Sequence, residues 1–288
     1  MIERDGYPAG VPCWIDTSQH DPDAAASFYG GLFGWGFEDR MPDDAAGRYL
    51  VAKLHGRDIA AVASQQENSP PDPVWGMYVA VDSADDAAAK ATEAGGSVVD
   101  EPFDVLDAGR TAVLADREDA VFCVWEAKGH KGAQLVNEPG TWNFSELNTR
   151  DLDGAKEFYG ALFGWETRTI EGGGMEFTFW SRPGYGEFLA SLDPEIRKRQ
   201  RESGAPEGFD DAVAWLQPMR GDQVPPESPP HWSITFAVDD ADASAAKVTD
   251  LGGKVLVPPF DAGPTRVAAV SDPAGAAFTV SRYYPDAL

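Results

Sequence analysis

Cysteine is nearly missing from this chain: Cys13 and Cys123 are the two in 288 residues. That excludes a disulfide framework and a Cys-rich metal site, and it leaves two buried free thiols as the expectation. Long apolar runs are missing as well. None approaches the roughly 18 residues that a membrane-spanning helix requires. The first residues, Met1 to Pro8, are polar and carry no signal-peptide core, which points to a cytoplasmic protein. Basic residues are scarce, 23 against 48 acidic ones, for a net charge of −25. Such a surface repels phosphate backbones and anionic lipid, so it argues against nucleic-acid and membrane partners and favours solubility. Histidine is sparse too. His20 falls in a turn, and His55 and His130 have no constellation around them. No Ser-His-Asp arrangement or phosphate-cradling glycine loop is present, and Gly172-Gly-Gly174 fits a hairpin turn.

What the chain does have is itself twice. Asp21-Pro-Asp-Ala-Ala-Ala-Ser-Phe-Tyr-Gly-Gly-Leu-Phe-Gly-Trp35 returns as Asp151-Leu-Asp-Gly-Ala-Lys-Glu-Phe-Tyr-Gly-Ala-Leu-Phe-Gly-Trp165, at an offset of 130. A later block recurs at an offset of 157: Trp75, Val81-Asp82, the Ala88 to Gly96 stretch and Pro102-Phe103 match Trp232, Val238-Asp239, Ala245 to Gly253 and Pro259-Phe260. The larger offset means that the second half carries 27 extra residues between the blocks, around Gly184 to Asp211. Each first block reads as a strand (Cys13 to Thr17; Asn143 to Leu147) running into an Asp able to cap a helix. Phe28, Tyr29, Leu32 and Phe33, like Phe158, Tyr159, Leu162 and Phe163, then fall at helical spacing before a glycine stop. Each second block reads as strand, helix (Ala84 to Ala94 in the first half), Gly-Gly and further strands. The expectation is an α+β protein of two tandem domains, 1–130 and 138–288, each made of paired βαβββ modules. The insertion falls at about 184–211, Pro-rich hinges at Ser69 to Pro73 and Val224 to Pro230 separate modules, and Lys128 to Thr141 link the halves.

The strand, the Asp, Phe-Tyr, Leu-Phe-Gly-Trp, the later Ala-Val-Asp and the closing Asp272-Pro-x-Gly-x-x-Phe278 resemble the vicinal oxygen chelate superfamily. It includes glyoxalase I, bleomycin and fosfomycin resistance proteins and extradiol dioxygenases, and the tandem glyoxalase-like proteins of actinobacteria look most similar. The resemblance covers nearly the whole chain and implies that each pair of modules curls into an open cup-shaped barrel. It speaks strongly for fold and weakly for reaction, because this fold hosts several chemistries. In metal-using members the cup donates His, Glu or Gln. Carried onto this chain, those positions are Trp14, Gly76 and Cys123 in the first half, and Phe144, Ser233 and Thr279 in the second. No cofactor and no metal are therefore expected. Glu146 and His231 each lie two residues from such a position, and a register slip would make them a partial site.

Asp16 and Glu146 occupy equivalent places, each two residues beyond an inward aromatic. A buried carboxylate must be paired, hydrogen-bonded or protonated. Arg110 and Arg266, which also match in the repeat, are the expected partners, one ion pair per cup. Trp14, Asp16, Arg110, Cys123, Phe144, Glu146, His231, Arg266 and Thr279 are thus the candidate ligand-binding residues. Cys123 lies among apolar neighbours and reads as an inert thiol rather than a nucleophile. The insertion holds an Asp193-capped helix bearing Arg197, Lys198, Arg199 and Arg201, which either lids the second cup, clasps the acidic first half, or has no role. Three functions fit: metal-independent binding of a small aromatic or mixed apolar-polar molecule for sequestration, resistance or sensing; a glyoxalase-like lyase or isomerase with Asp16 or Glu146 as general base; or a scaffold with collapsed cups. Four modules in one chain suit either a monomer or a homodimer.

Overall fold

The computed structural model describes residues 3–284 apart from 43, 66–71, 173–174, 203, 222–223 and 226. Parts of both Pro-rich hinges and of the glycine turn lie outside this set. The first half runs β1 (Pro12–Gln19), α1 (Pro22–Phe33), β2 (Gly36–Asp39), β3 (Tyr49–Leu54) and β4 (Arg57–Ser64), then β5 (Trp75–Ala80), α2 (Ala84–Glu93), β6 (Ser97–Val105), β7 (Gly109–Ala115) and β8 (Val121–Ala127). The second repeats the order: β9 (Trp142–Thr149), α3 (Leu152–Phe163), β10 (Glu166–Gly172), β11 (Met175–Ser181), β12 (Ala212–Pro218), β13 (His231–Ala237), α6 (Ala241–Asp250), β14 (Lys254–Ala262), β15 (Thr265–Ser271) and β16 (Ala277–Tyr283). Between β11 and β12 the insertion adds α4 (Tyr185–Leu192), α5 (Ile196–Glu202) and a 3-10 turn (Phe209–Asp211). No helix among the described residues is long and apolar enough to cross a membrane.

Each half forms one open eight-stranded sheet, ordered β2-β3-β4-β1-β5-β8-β7-β6 and β10-β11-β12-β9-β13-β16-β15-β14. The two modules of a half join through one antiparallel pair, β1 with β5 and β9 with β13. This is the paired βαβββ architecture expected from the repeat.

Local chemistry explains the helices. Asp21 accepts from Ala24 N, and Asp151 from Gly154 N, at 2.9 Å each, capping α1 and α3. Gly34 and Gly164 end them in the left-handed region, at φ 77° and 70°. The buried stripes of these helices do not serve their own half alone. Phe33 meets Phe236 and Phe278 of the second half at 5.1 and 6.1 Å, while Phe122 of the first half meets Phe158, Tyr159 and Phe163 at 6.1, 5.6 and 5.9 Å. One continuous apolar core therefore crosses between the halves, and the cups face away from it.

The double glycines after α2 and α6 follow from that junction. A Cβ on Gly96 would stand 2.6 Å from the Phe158 ring and 2.4 Å from the Ala115 carbonyl; one on Gly253 would stand 2.4 Å from the Ser271 carbonyl. Gly96→Ala is expected to cost about 2 kcal/mol by overpacking. A urea titration checks it, and an unchanged midpoint would contradict this account of the junction.

Candidate functional site: two unlike cups

Strand alternation decides which side chains line each cup. In β1, Ile15 joins the shared core, whereas Trp14 and Asp16 point into the first cup. Asp16 pairs across the sheet with Ala61 on one side and Gly76 on the other. Asp16 is 9% exposed, and among the described residues its carboxylate meets no cation. Instead its Oδ2 accepts from the hydroxyls of Tyr49 at 3.1 Å and Tyr78 at 2.9 Å, and Trp14 Nε1 donates to Tyr49 Oη at 2.9 Å. Burial pushes the Asp16 pKa up to about 6, with the two tyrosine hydrogen bonds pulling against it. Cys123 lies across from Tyr78 on β8. Burial pushes its thiol up, which disfavours the nucleophilic thiolate.

The Trp14 end of this cup is filled by the chain itself. The segment linking the halves folds back over it: Ala133 N donates to the Cys13 carbonyl at 2.8 Å, and Tyr7 Oη donates to the Ala133 carbonyl at 2.6 Å. The His130 ring stands edge-on to Trp14 at 4.3 Å, and its backbone carbonyl accepts from Trp125 Nε1 at 2.9 Å. Burial lowers the His130 pKa. Trp14 is left 2% exposed.

The second cup is lined differently. Glu146 pairs across the sheet with Trp215 and Ser233, and its Oε1 accepts from Thr235 Oγ1 at 2.8 Å. Burial raises its pKa. Beside it stands a wall of rings: Phe144 lies 5.6 Å from Trp215 and 6.0 Å from Phe209, and Phe177 lies 6.4 Å from Trp215. Phe144, Phe177, Phe209 and Trp215 are all half-buried, so each keeps surface free. Polar groups continue the same surface on the β13 side of β9, with Asn148 Nδ2 donating to Ser233 Oγ at 3.0 Å. Thr279 adjoins this group, paired with Thr235 across β13 and β16.

Phe209 comes from the insertion. Its turn is tied down by Gly186 N donating to Asp211 Oδ1 at 2.7 Å, and by Arg197 joined to Asp210 at 2.7 Å and to Glu187 at 2.9 Å. Three of the four basic residues of that run are thus paired within the insertion, since Arg199 pairs with Asp193 and Lys198 with Glu195 beside the Arg197 pairs. None of these three reaches the acidic first half among the described residues. The contact with that half is made by Tyr185 of α4, which takes a hydrogen bond from Arg4.

Two expected partners are corrected by the structure. Arg110 shares a strand face with Ala112 and Leu114, which pack in the core, so it points to the helix side and pairs with Asp85 at 2.7 Å. Arg266, on the face of Ala268 and Val270, pairs with Asp242 and with Asp261 at 2.9 Å. Neither reaches a cup carboxylate. Tyrosine and threonine hydroxyls meet that need instead. His231 is exposed, with its Nδ1 at 2.9 Å from the Pro229 carbonyl, while Glu146 turns the other way to Thr235. The partial metal site that a register slip would create is not assembled.

The metal that the resemblance implies can be tested against these side chains. Trp14, Tyr78 and Cys123 form one lateral row in the first cup, with Gly76 beside Asp16; Phe144, Thr235 and Thr279 form the matching row in the second, with Ser233 beside Glu146. An indole, a glycine, a phenyl ring, neutral hydroxyls, one thiol whose ionisation burial disfavours and a single carboxylate per cup do not supply the several converging anionic or imidazole donors of a divalent site. Among the described residues no three His, Cys, Asp or Glu side chains gather anywhere. The residues present do not fit the metal.

Tyr49, Tyr78, His130 and Phe209 line the cups without having been expected from the sequence. Tyr78 was within reach, two residues beyond Gly76 and so on its face. Phe209 was not, because the insertion has no counterpart in the repeat.

Comparison with known proteins agrees with the architecture. Residues 14–125 match the glyoxalase-like domain family, and residues 142–280 match the glyoxalase/bleomycin resistance protein/dioxygenase superfamily. The chain is 35% identical over 288 residues to CFP32 of Mycobacterium tuberculosis, provisionally named a glyoxylase, with 99% of each chain covered. It is 32% identical over 292 residues to the anthracycline biosynthesis protein DnrV of Streptomyces peucetius, covering 95% and 94% of the two chains. The fold is also that of the Mn(II)-bound glyoxalase from Novosphingobium aromaticivorans, with a TM-score of 0.56 at 16% identity over 95% of this chain and 82% of that one. With the repeat, the paired sheets and these matches in agreement, the chain belongs to the glyoxalase/bleomycin resistance protein/dioxygenase superfamily, as a tandem of two such domains.

Proposed function

We propose that the second cup binds a small planar aromatic molecule carrying polar groups, and does so without a divalent metal. One observation carries this reading: four half-exposed rings, Phe144, Phe177, Phe209 and Trp215, stand beside a polar group centred on Glu146. Flat rings stack on aromatic walls, and one or two fixed acceptors orient a hydroxyl-bearing edge. The kinship with an anthracycline biosynthesis protein fits such a ligand, since anthracyclines are planar and polycyclic. Sequestration, resistance or sensing would each use binding of this kind.

Titration with a panel of planar phenols and quinones tests the proposal. Saturable quenching of tryptophan fluorescence is expected, and Trp215→Phe should remove most of it although eight of the nine tryptophans remain. Phe209→Ala should weaken binding about tenfold by removing one wall. Quenching that survives Trp215→Phe unchanged would place the ligand elsewhere.

A second reading, a glyoxalase-like lyase or isomerase, draws on the raised pKa values. A carboxylate at about 6, as for Asp16, is a better general base near neutrality than an ordinary one. Turnover of a 2-oxoaldehyde conjugate that disappears in Asp16→Asn or Glu146→Gln would favour it over binding alone.

A further inference from the structure

We infer that the Asp16 end of the first cup is a second binding site, distinct in chemistry from the aromatic cup, for a small organic ammonium carrying at least one N–H. Asp16 is more than nine-tenths buried, yet only its Oδ2 is engaged, by Tyr49 and Tyr78. No donor among the described residues reaches Oδ1. Its cross-strand neighbours are the two smallest possible, Ala61 and Gly76, and a Cβ on Gly76 would stand 3.5 Å from Oδ1. The corresponding neighbours of Glu146 are Trp215 and Ser233, so in the second cup an indole ring stands where Ala61 stands in the first.

The surroundings suit a cation. Tyr49 and Tyr78 hold the carboxylate; Trp14 donates to Tyr49, and Trp125 stands edge-on to Tyr78 at 6.3 Å. Aromatic faces attract an ammonium once water is excluded. Among the described residues no side-chain cation reaches the carboxylate: Arg110 is committed to Asp85 and Lys128 to Asp104. The net charge of −25 raises the local concentration of cations over anions. A hard divalent ion would find one carboxylate and two phenols, too few donors, whereas an ammonium needs one charged acceptor and rings. The ligand would place an N–H on Oδ1 and its alkyl stem along the space left by Gly76.

Calorimetric titration of the full chain with propylammonium at pH 8, with 1-propanol as the neutral control, tests the site. Saturable binding of propylammonium and none of propanol is expected. Asp16→Asn should weaken it at least about tenfold, the usual cost of losing a charged hydrogen bond. Gly76→Val, which fills the space and leaves the carboxylate, should weaken it comparably, with thermal unfolding confirming that both variants fold. No saturable binding by the wild type, or equal binding by Asp16→Asn, overturns the inference. Aromatic binding in the second cup is read separately through Trp215, so either proposal can fail without the other.

Discussion

Asp272→Ala should destabilise the protein by about 4 kcal/mol or more, because it breaks a buried network that joins the two halves. Asp272 is 1% exposed and stands where the halves meet. Its Oδ1 accepts from the backbone N of Ala274, Gly275 and Ala276 at 3.0, 2.8 and 2.9 Å, building the turn before β16. Its Oδ2 accepts from Tyr29 Oη and Gln19 Nε2 of the first half, each at 2.9 Å. Tyr29 in turn accepts from Trp75 Nε1 at 3.0 Å. Alanine would strip all of these acceptor contacts and leave buried donors without partners. The repeat offers its own comparison, since Asp116 takes a 3.0 Å hydrogen bond from Tyr159, which accepts from Trp232 Nε1 at 2.9 Å. Tyr29→Phe removes the hydroxyl that donates to Asp272 and accepts from Trp75 but spares the turn, so it should cost less, about 2 kcal/mol. Urea unfolding of both variants separates them. Equal, small losses would mean that the turn and the junction are not coupled through Asp272.

Asp16→Asn should do the opposite and stabilise the protein at neutral pH by about 2 kcal/mol. Folding raises the Asp16 pKa to about 6, from about 3.9 in the unfolded chain. The folded state therefore binds the proton more tightly, and above pH 7 the ionised, buried carboxylate is a net cost. A tenfold difference in proton affinity between the two states corresponds to about 1.4 kcal/mol, and residual solvent contact reduces the total. As pH falls from about 6 to about 4 the wild type recovers this energy, and below about 4 the two proteins should be equally stable in this respect. Asparagine keeps an oxygen for both tyrosine hydroxyls and carries no charge. Thermal unfolding from pH 4 to pH 8 tests the sign directly. A variant less stable than wild type at pH 8 would show that the charge itself is held favourably.

The duplicated motifs made the fold legible because each carries its own physics: Asp21 and Asp151 cap, the Phe-Tyr-x-x-Leu-Phe stripe packs, and Gly34 and Gly164 stop the helix in a conformation that glycine favours. The inward direction of Trp14, Asp16, Phe144 and Glu146 followed from strand period. Arg110 and Arg266 defeat the expectation that each buried carboxylate finds a charged partner, because strand parity overrides it. Both lie two residues from small apolar residues that pack against the helices. Their true partners, Asp85 and Asp242, sit in the first turns of α2 and α6, and that proximity exists only once the helices dock. The filling of the Trp14 end of the first cup by the linker was invisible for a similar reason. Nothing local in Lys128 to Val136 says that Ala133 will bond to Cys13.

The central functional claim is that a cup lined by Phe144, Glu146, Phe209 and Trp215 holds its ligand without a metal. The most direct measurement is the affinity for the best planar aromatic ligand of the panel, taken after exhaustive chelation and again with manganese, zinc, nickel or ferrous iron restored, alongside the metal content of the complex. One dissociation constant under all conditions, with no stoichiometric metal, is expected. Binding that appears only with a divalent ion, held by protein atoms inside either cup, would contradict the claim.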